Sequence, residues 1–130
     1  AADMCATKVQ PDEATLADMQ FGWNIVKHVK SNAIVVVKNG QTLGVGAGQM
    51  NRVGSAEIAM KQAHAAGVTE GLILASDGFL PFDDTVALAA QYGVTAIVQP
   101  GGSIRDNDCV TKADELGICM LMTGTRHFKQ

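Results

Sequence analysis

Apolar residues near the start of the chain recur with a helical period. Leu16, Met19, Trp23 and Val26 follow one another at this spacing, which predicts a helix with one buried stripe over residues 11–30. The helix opens with Pro-Asp-Glu, a composition that suits a first helical turn and the positive end of the helix dipole.

A β-hairpin is predicted directly after this helix. Residues 33–38 are apolar and rich in β-branched side chains, Asn39-Gly40 is the strongest short hairpin signal, and residues 42–45 form the return strand. Residues 1–10, ahead of the helix, show no period. They are expected to form an extended lead-in.

The rest of the chain alternates helices with short apolar strands. The predicted helices cover residues 56–63, 85–92 and 105–116, and the predicted strands cover residues 72–75, 95–98 and 118–122. This alternation implies right-handed crossovers and helices on both faces of the sheet. The expected fold is α/β, with a mixed, mostly parallel five-stranded sheet that carries the antiparallel hairpin at one side.

Composition narrows the class of protein. The chain has 130 residues, 47% of them apolar, which suits one compact domain. A net charge of −3 with scattered basic residues argues against a nucleic-acid partner. The apolar runs are too short for a membrane span, and Cys5, Cys109 and Cys119 form no paired motif, which favours the cytosol. The first residue is Ala and not Met, so a piece of a longer chain is one expectation.

Four junctions are expected to meet outside the carboxyl ends of the parallel strands, where such sheets bind ligands. They are residues 46–52, 76–84, 99–106 and 123–128. The first and third are glycine-containing turns followed by Arg52 and Arg105, a combination that can hold a phosphate or carboxylate. The alternative is that these glycines only mark tight turns between strands and helices.

The second junction combines aromatic rings with carboxylates. Phe79, Pro81 and Phe82 lie next to Asp83 and Asp84, a composition suited to stacking a flat heterocycle and accepting hydrogen bonds from its amines. The alternative is a packed loop whose phenylalanines belong to the core. His64, which lies in a predicted helix, fits a solvated surface better than a site.

Taken together, the junctions resemble those of a known enzyme family. The similar segments are VKSNA at 29–33, GVGAGQMNR at 44–52, ASDGFLPF at 75–82, QPGGSIRD at 99–106 and RHF at 126–128. They resemble, in order, the C-terminal part of the bifunctional purine biosynthesis enzyme. That enzyme combines aminoimidazole carboxamide ribonucleotide (AICAR) formyltransferase with inosine monophosphate (IMP) cyclohydrolase. The resemblance covers nearly the whole chain, from about Leu16 to Lys129.

The resemblance implies a fold and a set of partners. The family's formyltransferase region has two cytidine-deaminase-like subdomains with three layers each, and its active site forms between them and across a homodimer. This chain resembles the second subdomain only. Residues 11–130 are therefore expected to form that subdomain, which would work with the complementary subdomain, the ribonucleotide and 10-formyltetrahydrofolate. The cyclohydrolase domain and the first subdomain are expected to be absent from this sequence.

Zinc chemistry is not expected despite the implied deaminase kinship. Zinc deaminases carry H-x-E or C-x-E at one helix start and P-C-x-x-C at another. This chain has Gly48-Gln49-Met50 and Pro100-Gly101-Gly102-Ser103 at those places. Neither turn offers a thiolate or an imidazole as a zinc ligand.

The family pattern also implies roles for individual residues. Asn32 would lie near the transferred formyl group as the catalytic residue. The residues implied to bind the ribonucleotide are Arg52, Phe79, Asp84, Arg126 and Phe128, and those implied to face the folate are Val53, Pro81 and Phe82. A potassium ion is implied near Ser31 and Asp77, with the carbonyls of Val26, Val29 and His127. Ala33 stands where some members have a hydroxyl.

One role is not carried over from the family. Its catalytic Lys-His pair belongs to the other subdomain, whereas Lys27-His28 is followed by Val29-Lys30-Ser31-Asn32 and falls in the predicted first helix. The chain is thus expected to be part of a folate-dependent formyltransferase and inactive alone. The alternatives are a stand-alone ribonucleotide-binding module and, last, a zinc deaminase.

Overall fold

A computed structural model of the chain describes residues 4–124 and contains four helices and five strands in this part. In chain order they are α1 (Glu13–Val26), β1 (Ile34–Lys38), β2 (Gln41–Gly46), α2 (Arg52–Ala65), β3 (Leu72–Ser76), α3 (Asp84–Gln91), β4 (Val94–Gln99), α4 (Asp106–Leu116) and β5 (Cys119–Met122). Every predicted helix and strand is confirmed. The bounds differ from the predicted ones by a few residues.

The five strands form one mixed sheet in the order β2-β1-β3-β4-β5. β1 is antiparallel to both β2 and β3, whereas β3, β4 and β5 are parallel. Every strand except β1 therefore points in the same direction. The carboxyl ends of β2, β3, β4 and β5 and the start of β1 consequently share one edge, as the predicted parallel arrangement requires.

The sheet separates two hydrophobic cores, because successive strand side chains point to opposite faces. In β1, Ile34 and Val36 join the core under α2, α3 and α4, and Val35 and Val37 join the core under α1. The two parallel crossovers lie on the first of these faces. The result is the predicted three-layer arrangement, with helices on both faces.

Aspartate side chains stabilise the start of the first helix and the turn of the hairpin. The Asp12 carboxylate accepts a hydrogen bond from the backbone N–H of Thr15 at 2.7 Å, and this bond lowers the pKa of Asp12. Asp18 on α1 accepts from the N–H groups of Asn39 and Gly40, at 2.9 Å each. Both turn residues have positive φ, as a two-residue hairpin of this type requires.

Helix α2 packs directly on the backbone of β2. Gly44 and Gly46 face it, and a Cβ at either position would overlap the carbonyl oxygen of Ala59 or Ser55. The buried face of the helix is built from small side chains, including Ala56 and Ala59. This close approach brings the start of α2, with Arg52, to the shared edge of the sheet.

The lead-in is docked on the sheet, but it is not extended throughout as predicted, because residues 7–9 form bends. Cys5 forms an isolated antiparallel β-bridge with Leu121, and the N–H of Ala6 donates to the carbonyl of Met120 at 2.9 Å. The Thr7 hydroxyl accepts from the N–H of Met120 at 2.9 Å. The segment thus covers the free edge of β5, an arrangement that its lack of a hydrophobic period did not indicate.

The first helix ends earlier than predicted. Lys27 is its C-cap, and the N–H of His28 donates to Ile25 O in the closing turn. Lys27-His28 therefore lies at the helix end and not inside it, and Lys27 Nζ lies 5.9 Å from the centre of the Trp23 ring.

None of the helices within residues 4–124 is both long and apolar enough to cross a membrane.

Candidate functional site

A cleft of about 320 Å³ opens at the shared edge of the sheet. Three segments line it: the turn that precedes β1, the start of α2 with the residues just ahead of it, and the loop after β3. The lining residues are Asn32, Met50, Asn51, Arg52, Gly78, Phe79 and Pro81. Four residues that the family resemblance singled out, Asn32, Arg52, Phe79 and Pro81, thus converge in one place.

Asn32 is held from two sides. Its side-chain Nδ2 donates to the carbonyl of Gln49 at 3.1 Å, and its own carbonyl accepts from the buried hydroxyl of Ser55 at 2.9 Å. Asn32 Oδ1 accepts no hydrogen bond from the described residues. An amide oxygen fixed in this way can accept a hydrogen bond from a substrate amine.

Arg52 forms an ion pair with Asp77 across the floor of the cleft. Nη1 of Arg52 contacts Asp77 Oδ1 and also donates to the carbonyl of Ala33 at 3.4 Å. The guanidinium lies against the backbone of Gly78, where a Cβ would overlap it. The two side chains are only 14% and 11% exposed, so their charges compensate each other in a poorly solvated place.

The loop after β3 is tied down by the residues behind it. Ser76 donates its hydroxyl to the carbonyl of Gly78 at 2.7 Å, and Gln99 Oε1 accepts from the N–H of Leu80 at 2.9 Å. Leu80 is fully buried, whereas Phe79 before it is 45% exposed. Phe79 therefore belongs to the cleft and not to the core, so the packed-core alternative is wrong for this ring.

Other residues with implied roles lie near the cleft but do not line it. Phe82 is 53% exposed and stacks with the guanidinium of Arg105, 5.6 Å from its ring centre. Asp84 is the first residue of α3, and its carboxylate accepts from the N–H of Thr85 at 2.8 Å. Val53 is half-buried in the first turn of α2. Their implied roles in binding stay predictions.

Three implied residues, Arg126, His127 and Phe128, lie outside the described residues 4–124. Their roles in binding the ribonucleotide and the cation stay predictions.

The backbone N–H groups of the third junction, residues 99–106, are used within the turn itself. The N–H groups of Gly102 and Ser103 donate to the Asp106 carboxylate at 2.8 and 3.1 Å, and Arg105 pairs with Asp108 at 3.2 Å. The groups expected to hold an anion are already satisfied within the turn. Here the reading as an ordinary strand-to-helix turn accounts for the structure.

The implied potassium site does not fit the contacts made by Asp77. Both of its carboxylate oxygens accept hydrogen bonds, from Ser31 Oγ on one side and from Ala33 N and Arg52 on the other. A cation there would compete with the guanidinium. The carbonyl of Val26 accepts from the N–H of Val29. Residues 4–124 contain no group of three or more His, Cys, Asp or Glu that could hold a metal ion.

The cleft lacks an acid–base group among the described residues. None of the seven lining residues within residues 4–124 is a carboxylate, an imidazole or a lysine, and a guanidinium does not exchange its proton near neutral pH. Lys27 and His28 are not among them. The described part of the cleft can orient and polarise a ligand, but its lining residues within 4–124 provide no general base.

Sequence inspection did not identify several residues that shape the cleft. Ser55 and Gln99 are fully buried polar residues whose side chains hold Asn32 and Leu80. Asp77 was considered only for potassium. Buried polar side chains are almost always hydrogen-bonded, but the partners of Ser55 and Gln99 are distant in sequence. The sequence therefore offers one signal alone, the polar Gln99 at the end of a predicted apolar strand.

Fold and cleft define the class of this protein: it is a cytidine-deaminase-like α/β chain with a cleft at the carboxyl edge of its sheet. Solved structures share the fold. The dCMP deaminase of cyanophage S-TIM5 superposes with a TM-score of 0.56 at 19% identity, over 85% of this chain and 98% of that one. A Thermotoga maritima diaminohydroxyphosphoribosylaminopyrimidine deaminase/5-amino-6-(5-phosphoribosylamino)uracil reductase also gives 0.56 at 19% identity, over 85% of this chain and 35% of that one.

Sequence relatives identify the family. The AICARFT/IMPCHase bienzyme family matches residues 2–62. Bifunctional purine biosynthesis proteins PurH from Acaryochloris marina, Microcystis aeruginosa and Anoxybacillus flavithermus are 64%, 62% and 60% identical, over 94%, 94% and 95% of this chain. The chain belongs to this AICARFT/IMPCHase family. It spans only 23%, 24% and 24% of the length of these three relatives.

Proposed function

We propose that the chain is the second subdomain of a folate-dependent AICAR formyltransferase, with residues 11–130 as the subdomain and residues 1–10 as its lead-in. The observation that carries the proposal is the convergence of Asn32, Arg52, Phe79 and Pro81 in one cleft. Relatives named as bifunctional purine biosynthesis proteins, about 60% identical over nearly the whole chain, support it.

In the proposed reaction the 5-amino group of the ribonucleotide attacks the formyl carbon of 10-formyltetrahydrofolate. A new C–N bond forms, the bond from the formyl carbon to N10 of the folate breaks, and the proton lost by the amine is passed on to N10. Asn32 orients the amine or the formyl oxygen, and Phe79 stacks on the imidazole ring. The contribution of this subdomain is positioning and polarisation.

The base that takes the proton comes from elsewhere in the full-length protein. Among residues 4–124, the cleft lining contains no titratable base, which supports a site completed by the first subdomain and by a second copy of the protein. Arg126 and Phe128 would hold the ribonucleotide phosphate and ring, and Val53, Pro81, Phe82 and Asp84 would border the two ligands. The assembled enzyme would act in the cytosol as a homodimer.

A chimera tests this proposal. This chain would replace the matching segment of the Acaryochloris marina relative, to which it is 64% identical. We expect the purified chimera to transfer the formyl group from 10-formyltetrahydrofolate to AICAR, and the 130-residue chain alone to show no turnover. Turnover by the chain alone, or a folded chimera without transferase activity, would contradict the proposal.

A stand-alone ribonucleotide-binding module is the second candidate. The partly exposed Phe79 beside Arg52, in a cleft without an acid–base group, is the observation that favours it. Calorimetric titration of the chain with AICAR separates the two candidates. A module binds AICAR without a partner, whereas a half-site binds it measurably only in the chimera.

A further inference from the structure

Asp77 connects three segments that meet at the cleft. It follows the last residue of β3, and its carboxylate accepts hydrogen bonds from Ser31 Oγ and Ala33 N ahead of β1, the latter at 3.1 Å. The same carboxylate pairs with Arg52 at the start of α2. The Asp77 N–H also donates to the carbonyl of Ala33 at 3.1 Å. One buried carboxylate therefore links β1, β3 and α2.

These contacts enclose Asn32 without touching its side chain. Ser31 and Ala33 are its two neighbours in sequence, so Asp77 binds the side-chain hydroxyl on one side of it and the backbone on the other. Within residues 4–124, Asn32 forms side-chain hydrogen bonds with Gln49 and Ser55 alone, so the direction of its amide depends on where that short stretch is held. A shift of about 1 Å in such a group is enough to cost a large part of the catalytic rate.

The same carboxylate determines how Arg52 presents its charge. Asp77 and the Ala33 carbonyl take up Nη1, and Gly78 provides the space that the rest of the guanidinium fills. The cation is thus oriented and largely neutralised before any ligand arrives. An arginine bound in this way directs its remaining N–H groups with little loss of side-chain entropy.

We propose that Asp77 is a positioning residue of the formyl-transfer site, which fixes Asn32 and Arg52 in the geometry that the reaction needs. The proposal rests on the proposed function, because Asn32 and Arg52 are the groups of that site. Asp77 acts through these two residues and does not itself touch the reacting atoms.

The informative variant is Asp77→Asn, which keeps the shape of the side chain and removes its charge. A carboxylate accepts from three donors here, whereas an amide has a single acceptor oxygen and presents an NH₂ group to a guanidinium or a hydroxyl. The amide cannot satisfy all three donors. Asp108→Asn is the matched control, because Asp108 also pairs with an arginine, Arg105, but at an exposed position outside the cleft lining.

The first measurement uses the 130-residue chain and needs no activity. In ¹⁵N-labelled protein, Asp77→Asn is expected to shift the side-chain signals of Asn32 and Arg52 and to speed hydrogen exchange at Ala33 N–H. Asp108→Asn should leave these signals unchanged. If Asp77→Asn leaves them at their original positions in a folded protein, the proposal is overturned.

The second measurement uses the chimera described above. We expect Asp77→Asn to lower kcat by about 100-fold with a much smaller change in KM for either substrate, and Asp108→Asn to keep both constants. Ser31→Ala removes one of the three donors and should give an intermediate loss, which protects the test against a variant that fails to fold. A purely structural role predicts instead that activity falls only in proportion to the folded fraction, and that result would overturn the proposal.

The two proposals fail in different ways. An inactive parent chimera would refute the proposed function, and the spectroscopic measurement would still decide whether Asp77 fixes Asn32 and Arg52. An active parent chimera whose Asp77→Asn variant keeps its kcat would refute the positioning role and leave the proposed function intact.

Discussion

Gln99 reaches from the end of β4 into the loop beside the cleft, where its Oε1 accepts a hydrogen bond from the backbone N–H of Leu80 at 2.9 Å. Its amide nitrogen donates to the sulfur of Met120 at 3.4 Å, and the side chain is fully buried. Leu80 lies between Phe79 and Pro81, two of the three cleft residues of this loop. A buried amide in the sheet therefore positions the rings expected to bind ligand.

Gln99→Met is expected to destabilise the protein by about 1–3 kcal/mol, because it leaves the buried N–H of Leu80 without an acceptor. Gln62→Met is the matched control: Gln62 Oε1 also accepts from a backbone N–H, that of Val45 at 2.8 Å, but in an exposed place where water can substitute. Its cost should stay within about 0.5 kcal/mol. Urea unfolding midpoints check both values, and equal losses would contradict the importance of burial.

Phe79 and Phe82 offer a matched pair of aromatic substitutions. Phe79 lines the cleft and Phe82 stacks on Arg105 outside its lining, while their exposures are similar at 45% and 53%. Phe79→Ala in the chimera should raise KM for AICAR by about 10-fold, since a stacked base is worth roughly 1–3 kcal/mol. Phe82→Ala should leave that KM unchanged and act on the folate. Steady-state kinetics with each substrate varied would reveal the opposite assignment.

The hydrophobic pattern predicts the nine elements within residues 4–124 because each helix buries one face and the central strands β1 and β3 are buried almost completely. The strand ends, the glycine turns and the aromatic loop can also be recognised in the sequence. The parallel direction of β3, β4 and β5 brings those junctions to one edge of the sheet. The resemblance then assigns Asn32, Arg52 and Phe79, which do converge there. Local signals and family motifs suffice for this much.

The remaining features depend on contacts between residues distant in sequence. From the sequence, Arg52 is predicted to be free to bind a phosphate, whereas the structure shows that it forms an ion pair with Asp77. Nothing in the sequence near residue 7 indicates that Thr7 binds Met120. The glycine turn at residues 101–103 looks like an anion site, yet Asp106 fills it. Pairings of this kind are set by tertiary packing and carry no periodic signature.

Close packing of α2 on β2 gives a prediction about glycine. Gly46→Ala places a Cβ against the carbonyl of Ser55, the residue that holds Asn32. We expect a loss of about 3 kcal/mol, the upper end for overpacking, together with weaker AICAR binding in the chimera. Gly48→Ala is the control, because that position has φ +71° but open space around it. It should cost about 1–2 kcal/mol and leave AICAR affinity intact; thermal unfolding and calorimetry separate the two.

Two buried thiols are expected to make the free energy of unfolding depend on pH in the alkaline range. Burial, with smaller contributions from nearby carboxylates such as Asp106, raises the pKa of Cys109 from 9.0 to about 11. Burial, followed by the charge and hydrogen bond of Cys5, raises the pKa of Cys119 to about 12. The folded protein therefore keeps protons that the unfolded chain releases above pH 9. The free energy of unfolding contributed by these thiols is fully present below pH 9 and falls as the pH rises through the folded pKa values.

The measurement compares urea unfolding at pH 8 and pH 10.5 in the original chain and in a Cys109→Ala/Cys119→Ala variant. The two proteins differ only at these thiols, so the difference between their losses of stability isolates the contribution of the thiols. We expect the original chain to lose more stability over this interval than the variant, although the variant starts lower because it lacks two buried side chains. A variant that loses just as much between the two pH values would show that the thiols ionise without cost in the folded state, and that their burial does not hold the protons.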